Sequence, residues 1–318
     1  MAGGRYVAGL VARIVRPGED RAVPTGPTSS RLPPRPDGVL RLATFNALHG
    51  AALDGTVDVE RFARAVAYLD ADVLALQEVE RDSPRSQRAD LVAVAAEALR
   101  ADHRHFSPTL RGVSGAWVRA ARPGSGVRRV PGVASYGIGL VSRFPVTRWS
   151  RLELDRMPWR SRLRRRSPGT TTGAARLVPF RVVPDEPRAA LAAAVVTPWG
   201  PLTVVTTHTT SRPEFTADQL RSLVRACAPL PRPLALLGDL NLRAPQPAEL
   251  SGFTSLADVL THPTDRPVRQ IDHVLVDGAP GQATLRALGP ATAVDTGLSD
   301  HRAVVVDVVV EPQAGATA

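Results

Sequence analysis

Lysine is absent from this chain of 318 residues, so all forty of its basic residues are arginine. The net charge of +10 would by itself suggest a polyanionic partner. Missing lysine, two asparagines and three tyrosines, set against abundant Ala, Val, Pro and Arg, instead resemble the imprint of a GC-rich genome. Bulk charge is therefore discounted, and the places where arginine clusters carry the information. The planar guanidinium fork still suits phosphate. A single cysteine, Cys227, excludes an internal disulfide framework. It sits in a helical apolar pattern with Leu220, Leu223 and Val224, where a core filler is expected. No apolar run approaches the ~18 residues needed to span a bilayer. The first sixteen residues hold a short apolar run that Arg13 interrupts, with no convincing cleavage site after it, which argues against a signal peptide. A cytoplasmic, monomeric protein is the expectation, with peripheral membrane contact left open.

What is present is a globular composition, 43% hydrophobic and 22% charged, enough for a sizeable core. Residues 1–38 divide into a short amphipathic stretch over 5–16 (Tyr6, Val7, Leu10, Val11 and Ile14 at helical spacing) and a Pro/Gly-rich linker. That stretch could dock on the domain, on another subunit or on a membrane surface. One domain is expected over 39–311, and a disordered tail over 312–318. The domain alternates. A strand runs from Val39 to Phe45, and Asp58 caps a helix from Val59 to about Leu69. A strand ends in Gln77 and Glu78, and a helix covers 89–100. This is the order of an α/β domain. Residues 102–135 read as irregular. Strands are expected at 135–146, about 175–183, 188–196 and 202–207, then a helix from Thr216 to about Ala226. That helix starts at Thr216 or its neighbours, and further strands follow at 234–237 and 274–276 and after His301.

Polar residues recur where apolar runs stop: Asn46, Glu78, His208, Asp239 with Asn241, Asp272, and Asp300 with His301. Both asparagines of the chain are among them. Strand ends on one rim of a sheet converge, and ligands bind there. Carboxylates, amides and imidazoles without cysteine form a hard, oxygen-rich set that favours Mg²⁺ or Mn²⁺ over a zinc cage. Such a site suits phosphate ester hydrolysis, in which a metal polarises the phosphoryl group and carboxylates orient water.

The ordered motifs L-A-T-F-N (42–46), L-A-L-Q-E-V (74–79), G-L-V-S-R-F-P-V (139–146), T-T-H (206–208), G-D-L-N (238–241), I-D-H (271–273) and S-D-H (299–301) resemble the endonuclease/exonuclease/phosphatase superfamily. That group includes DNase I-like nucleases, exonuclease III-type repair enzymes, sphingomyelinases, inositol polyphosphate phosphatases and deadenylases. The resemblance implies a four-layer α/β sandwich: two mostly antiparallel sheets packed face to face, with helices outside. It further implies that Glu78 is the principal metal ligand with Asn46 beside it, and that Asp300 is a second metal-site acid. Asp239 would orient or deprotonate the attacking water, and Asn241 would hold phosphate and water. His301 would stabilise the developing charge or act as base, with Asp272 orienting it. His208 would contact phosphate or protonate the leaving oxygen. Two positions depart from the family pattern: Thr206 and Ile138 stand where relatives often carry asparagine.

Other residues are open to two readings. His49, Tyr136 and Arg188 could bind substrate at the rim, although for Arg188 a solvated strand position is expected. His273 should face away from the site and pack, and His103, His105 and His262 are expected on the surface or in loops. The arginines of 148–166, with Trp149 and Trp159, are expected in a solvated loop. Beside the cleft they would suit nucleic acid or an anionic headgroup. The expected activity is a metal-dependent phosphoesterase, nucleic acid slightly preferred. A phosphatase or phospholipase acting on inositol phosphates or lipid headgroups is the alternative, and a non-catalytic anion-binding protein the second.

Overall fold

The computed structural model describes residues 32, 34–113, 116–120, 131–154, 160–162, 181–183, 186–278 and 283–311; for 160–162 and 181–183 it gives the backbone alone. The amphipathic stretch over 5–16, most of the linker, the tail, Trp159 and the arginines at 156 and 164–166 lie outside these residues. So does most of the strand expected over 175–183.

Two βαβ units set the frame. In the first, β1 (Leu40–Asn46) leads through α1 (Val59–Leu69) to a parallel β2 (Val73–Arg81). Asp58 caps α1 by accepting from the Arg61 N–H at 3.0 Å, as its position before the apolar pattern predicts. In the second, β10 (Gly200–His208) leads through α3 (Pro213–Cys227) to a parallel β11 (Leu234–Asp239). The remaining strands add to these pairs antiparallel. β3 (His103–Val113), β4 (Ala116–Arg119), β5 (Ser135–Ser142), β14 (Thr284–Ala287), β15 (Thr292–Val294) and β16 (Ala303–Glu311) join the first sheet. Its order is β14-β16-β1-β2-β5-β3-β4, with β15 also on β16. The second sheet takes β6 (Val146–Glu153), β9 (Ala189–Thr197), β12 (Thr254–Ser255) and β13 (Asp272–Asp277), in the order β12-β13-β11-β10-β9-β6. A short β7–β8 ribbon (Arg160–Arg162 and Arg181–Val183) stands apart.

Alternation decides which side chain goes where. Leu40 and Leu42 of β1 and Ala235 and Leu237 of β11 meet between the sheets, together with Ile138, Leu140, Leu191, Val204 and Val274. The opposite parity, Ala43 and Phe45, packs outward on α1 and on α2 (Leu91–Leu99). Leu236 and Leu275 pack outward on Leu220, Leu223 and Cys227 of α3. The layers are thus helix, sheet, sheet, helix, the four-layer α/β sandwich with mostly antiparallel sheets. Each fully buried leucine contributes about 2 kcal/mol of transfer free energy.

The structure differs from the sequence reading in several places. Residues 103–113 form a long strand, although Pro108 and Gly112 break its alternation; a register shift between Pro108 and Leu110 absorbs the irregularity. The helix after β10 starts at Pro213, because proline suits a first helical position. Thr216 lies within its first turn, and its hydroxyl donates back to the carbonyls of Thr210 and Arg212. Arg148 and Arg151 belong to β6 rather than a solvated loop. Arg151 is half-buried, its guanidinium donating to Glu153, to the Ser107 hydroxyl and to the Pro108 carbonyl. His103 and His105 lie on β3, and the His105 ring stacks on Trp149 at 5.3 Å. Thr206, one of the departures from the family pattern, accepts from the Gln77 amide at 3.0 Å in a buried polar layer between the sheets.

Candidate active site

Four strands deliver a terminal inward-facing residue to the same rim, three at their last residue and β13 at its first. In the second sheet, His208, Asp239 and Asp272 are successive register partners across β10, β11 and β13, so the three side chains stand in one row. From the facing sheet, Asn46 ends β1 with the parity of Leu40 and Leu42. Its amide Nδ2 donates to Asp239 Oδ2 at 3.1 Å and to Glu78 Oε1 at 3.2 Å. Asn46 therefore ties the two sheets together across the cleft.

Glu78 reaches the rim by a different device. Counting by twos from Leu74 and Leu76 would send its side chain to the outer, helix-covered face. The β2–β5 register breaks between Leu76 and Val79, and Glu78 has φ +55°, a left-handed backbone. This bulge adds one residue, returns Val79 to the outer face and turns Glu78 into the cleft beside Asn46. The strand then continues to Arg81 instead of ending at Glu78.

Asp239 is the hub. His208 Nε2 lies 3.3 Å and His301 Nε2 3.7 Å from its Oδ2, while the Asn241 N–H donates to its Oδ1 at 2.9 Å. The turn that makes this possible needs Gly238 (φ +152°), where a Cβ would stand 2.1 Å from the Thr207 carbonyl oxygen, and Asn241 (φ +50°), a residue that tolerates the left-handed region. The Asn241 amide itself donates to the Thr209 carbonyl at 3.1 Å. Burial works to raise the Asp239 carboxyl pKa, but the His208 and His301 imidazoles outweigh it and hold it below the usual carboxylate range.

His301 enters on the loop before β16. Its Nδ1 lies 2.9 Å from Asp272 Oδ2, and its Nε2 3.7 Å from Asp239 and 4.0 Å from Asp300 Oδ1. Burial lowers the pKa of such a ring, yet Asp272 and Asp239 together push it up to about 10. Asp300 completes the corner, and its Oδ2 faces His262 Nε2 at 3.5 Å. His262, expected as an ordinary loop residue, therefore lines the site, its ring edge-on to His301 at 4.7 Å. Its sequence signal was weak because its neighbours are joined to it only by the fold. His49 is buried nearby, and burial first, then Arg85, pushes its imidazole down to about 3 against the pull of Asp300. His273 points to the other face, where its Nε2 meets the Leu242 carbonyl at 2.9 Å.

Beside His208 a cleft of about 200 Å³, including its open mouth, is lined by Thr109, Tyr136, Gly137, Ile138, Arg188 and Ala189. Arg188 is not a solvated strand residue: it is 8% exposed and paired with Glu186 at 3.0 Å. The Tyr136 phenol is raised well above its ordinary value, by burial first and then by Glu78 and Glu186.

Glu78, Asp239, Asp272 and Asp300 thus converge with imidazoles and amides as partners. Asp272 Oδ1 is buried without a hydrogen-bond partner. An oxygen-rich set of this charge fits a hard divalent cation. Two groups bring their ligand atoms within 4.8 Å of one another among the described residues: Asp239–Asp272–His301 and His262–Asp300–His301. Glu78 belongs to neither, and its half-buried carboxylate stands on the far side of Asn46.

Residues 43–301 match the Endonuclease/Exonuclease/phosphatase family. Among solved structures, the chain is similar to the endonuclease/exonuclease/phosphatase of Beutenbergia cavernae DSM 12333, at 24% identity over 86% of this chain and 72% of that one, with a TM-score of 0.59. It is similar to the human Nocturnin catalytic domain with a bound sulfate anion (16% identity, 86% and 94% covered, TM-score 0.54). It is also similar to D. rerio TDP2 complexed with a single-strand DNA product (17%, 86% and 99%, TM-score 0.53). A comparison with curated proteins returns no match. At these identities the structural likeness speaks for the fold alone. The family match spans most of the chain and coincides with the rim that carries the clustered carboxylates and imidazoles, so this protein belongs to the endonuclease/exonuclease/phosphatase family.

Proposed function

We propose that the protein is a divalent-metal-dependent phosphoesterase that hydrolyses phosphodiester bonds. The observation that carries this reading is the row His208–Asp239–Asp272 facing Asn46 and Glu78, with His301 held between two carboxylates. Glu78 would hold the cation with Asn46 beside it and Asp300 as a further acid. Bound Mg²⁺ or Mn²⁺ supplies charge neutralisation at the phosphoryl oxygens. Asp239, kept ionised, orients the attacking water and accepts its hydrogen bond. His301, kept protonated by Asp272 and Asp239, donates from Nε2 to a non-bridging oxygen as negative charge builds there. Of the two roles open to His301, its two carboxylate neighbours favour donor over base. His208, tied to Asp239, stands at the mouth of the side cleft, where it can meet the leaving oxygen. Asn241 closes the turn that fixes Asp239.

Nucleic acid is the preferred substrate class, in keeping with the single-strand DNA product in the TDP2 structure. The second reading, an inositol phosphate or lipid headgroup substrate, draws on Arg188 and Tyr136, which line the cleft beside His208. The test is hydrolysis of an oligonucleotide, inositol phosphates and phospholipids with Mg²⁺, against Glu78→Ala and His301→Ala. Mg²⁺-dependent turnover that both variants lose supports the proposal. Wild-type turnover no greater than that of the variants on every substrate overturns it.

A further inference from the structure

The corner of His262, Asp300 and His301 has the composition of a two-histidine, one-carboxylate site for a transition metal. The hydrogen bonding of His262 speaks against that use. Residues 262 and 269 face each other across an isolated β-bridge, with the backbone N–H of each donating to the carbonyl of the other. From there Arg269 Nε and Nη2 point at His262 Nδ1, at 3.2 and 3.0 Å. A guanidinium only donates and stays charged. Nδ1 must therefore be the bare nitrogen, and the ring proton sits on Nε2, which faces Asp300 Oδ2 at 3.5 Å. A ring in this state has no lone pair on Nε2 to offer a metal. His301 Nδ1, by contrast, faces a carboxylate and carries a proton toward it.

We propose that Arg269 determines metal choice: by fixing His262 as an Nε2–H donor toward Asp300, it positions that carboxylate and keeps this corner from closing on a nitrogen-preferring metal such as Zn²⁺. His262 is accordingly a positioning residue, acting through Asp300. The inference concerns metal binding and stands whether or not the protein hydrolyses phosphate esters, so its test reads binding and not turnover.

The metal-free full-length protein, Arg269→Met and the double variant Arg269→Met/His262→Gln are titrated with Zn²⁺ by calorimetry and with Co²⁺ by visible absorption. Arg269→Met is expected to bind Zn²⁺ roughly ten- to a hundredfold more tightly than wild type, the scale on which groups behind a ligand act. Its Co²⁺ spectrum should gain the intense band of a low-coordinate, nitrogen-containing site, and the double variant should lose both gains. Should Arg269→Met fail to fold, two-bond ¹H–¹⁵N correlation on the wild type reads the His262 ring directly, with the proton expected on Nε2. Equal Zn²⁺ affinity of wild type and a folded Arg269→Met, or a proton on His262 Nδ1, overturns the proposal.

Discussion

The two ends of β1 and β2 carry buried acids under opposite arrangements. At the end where the strands begin, Asp72 accepts from Arg35, Arg143 and the Arg41 backbone N–H. Asp70 meets Arg35, Arg41 and Arg143, and Arg41 is also clamped on Asp307. Burial raises the Asp70 carboxyl pKa, and Arg143 with Arg35 and Arg41 more than reverses it. At the other end, among the described residues, none of Glu78, Asp239, Asp272 and Asp300 is paired with an arginine; their partners are amides and imidazoles. In a chain with forty arginines this exclusion is informative. Guanidinium partners lock carboxylates for good, whereas imidazoles and amides leave them able to meet a cation or a proton in transit.

The largest expected effect tests the imidazole-paired end. Asp239→Asn keeps the side-chain shape and should lower turnover on the order of a thousandfold, about 4 kcal/mol in the barrier, with the melting temperature within a few degrees of wild type. A comparable loss of stability would place Asp239 with the structural acids instead. Next comes the arginine-locked end. Asp72→Ala leaves Arg35 and Arg143 with Asp70 alone, takes the side-chain acceptor from the buried Arg41 N–H, and should destabilise by about 3 kcal/mol in urea unfolding. Turnover per folded molecule should stay near wild type. If activity collapses and stability does not, the contrast between the two ends fails.

A smaller effect is expected from Glu78→Gln, which removes a charge but keeps the bulge. It should raise the Mg²⁺ concentration for half-maximal activity by roughly ten- to a hundredfold with little change in stability. An unchanged Mg²⁺ response would mean the bulge aims Glu78 at something other than a cation. The smallest effect is one of pH. The His301 pKa in the fold is about 10 against 6.5 unfolded, so its stabilising contribution is fully present below about pH 6.5 and fades as pH rises through 10. In EDTA, the stability difference between wild type and His301→Gln should shrink over that window; a difference flat with pH would show that Asp272 and Asp239 do not hold a proton on the ring.

Much of this site was legible in the sequence because strand parity is strict. Asn46, His208, Asp239 and Asp272 each end an alternating run with inward parity, and His273 falls one step out of it, so simple counting places all five. Glu78 was legible only as a polar residue after an apolar run, since its parity points the wrong way until the bulge is known. β3 is hidden in the sequence because Pro108 and Gly112 break its alternation, and the start of α3 because no side chain caps it ahead of Pro213. His262 and Arg188 were read as loop and solvated residues because their partners arrive through the fold. Arg269 meets His262 across a bridge between two loop segments, and Arg188 is buried beside strands far from it in sequence.

By itself, then, the sequence determined the alternation of strands and helices, the inward faces, and the polar residues on which those faces end. These depend on periods of two and 3.6 residues, and short-range geometry enforces them. Tertiary structure alone decided that Asn46 links the two sheets through Asp239 and that Glu78 is turned by a bulge. It also decided that none of the described arginines pairs with a rim acid and that Arg269 sets the tautomer of His262. Each of these is a contact between residues seven to nearly two hundred positions apart, or a local break whose outcome depends on the neighbouring strand, and no local period encodes them.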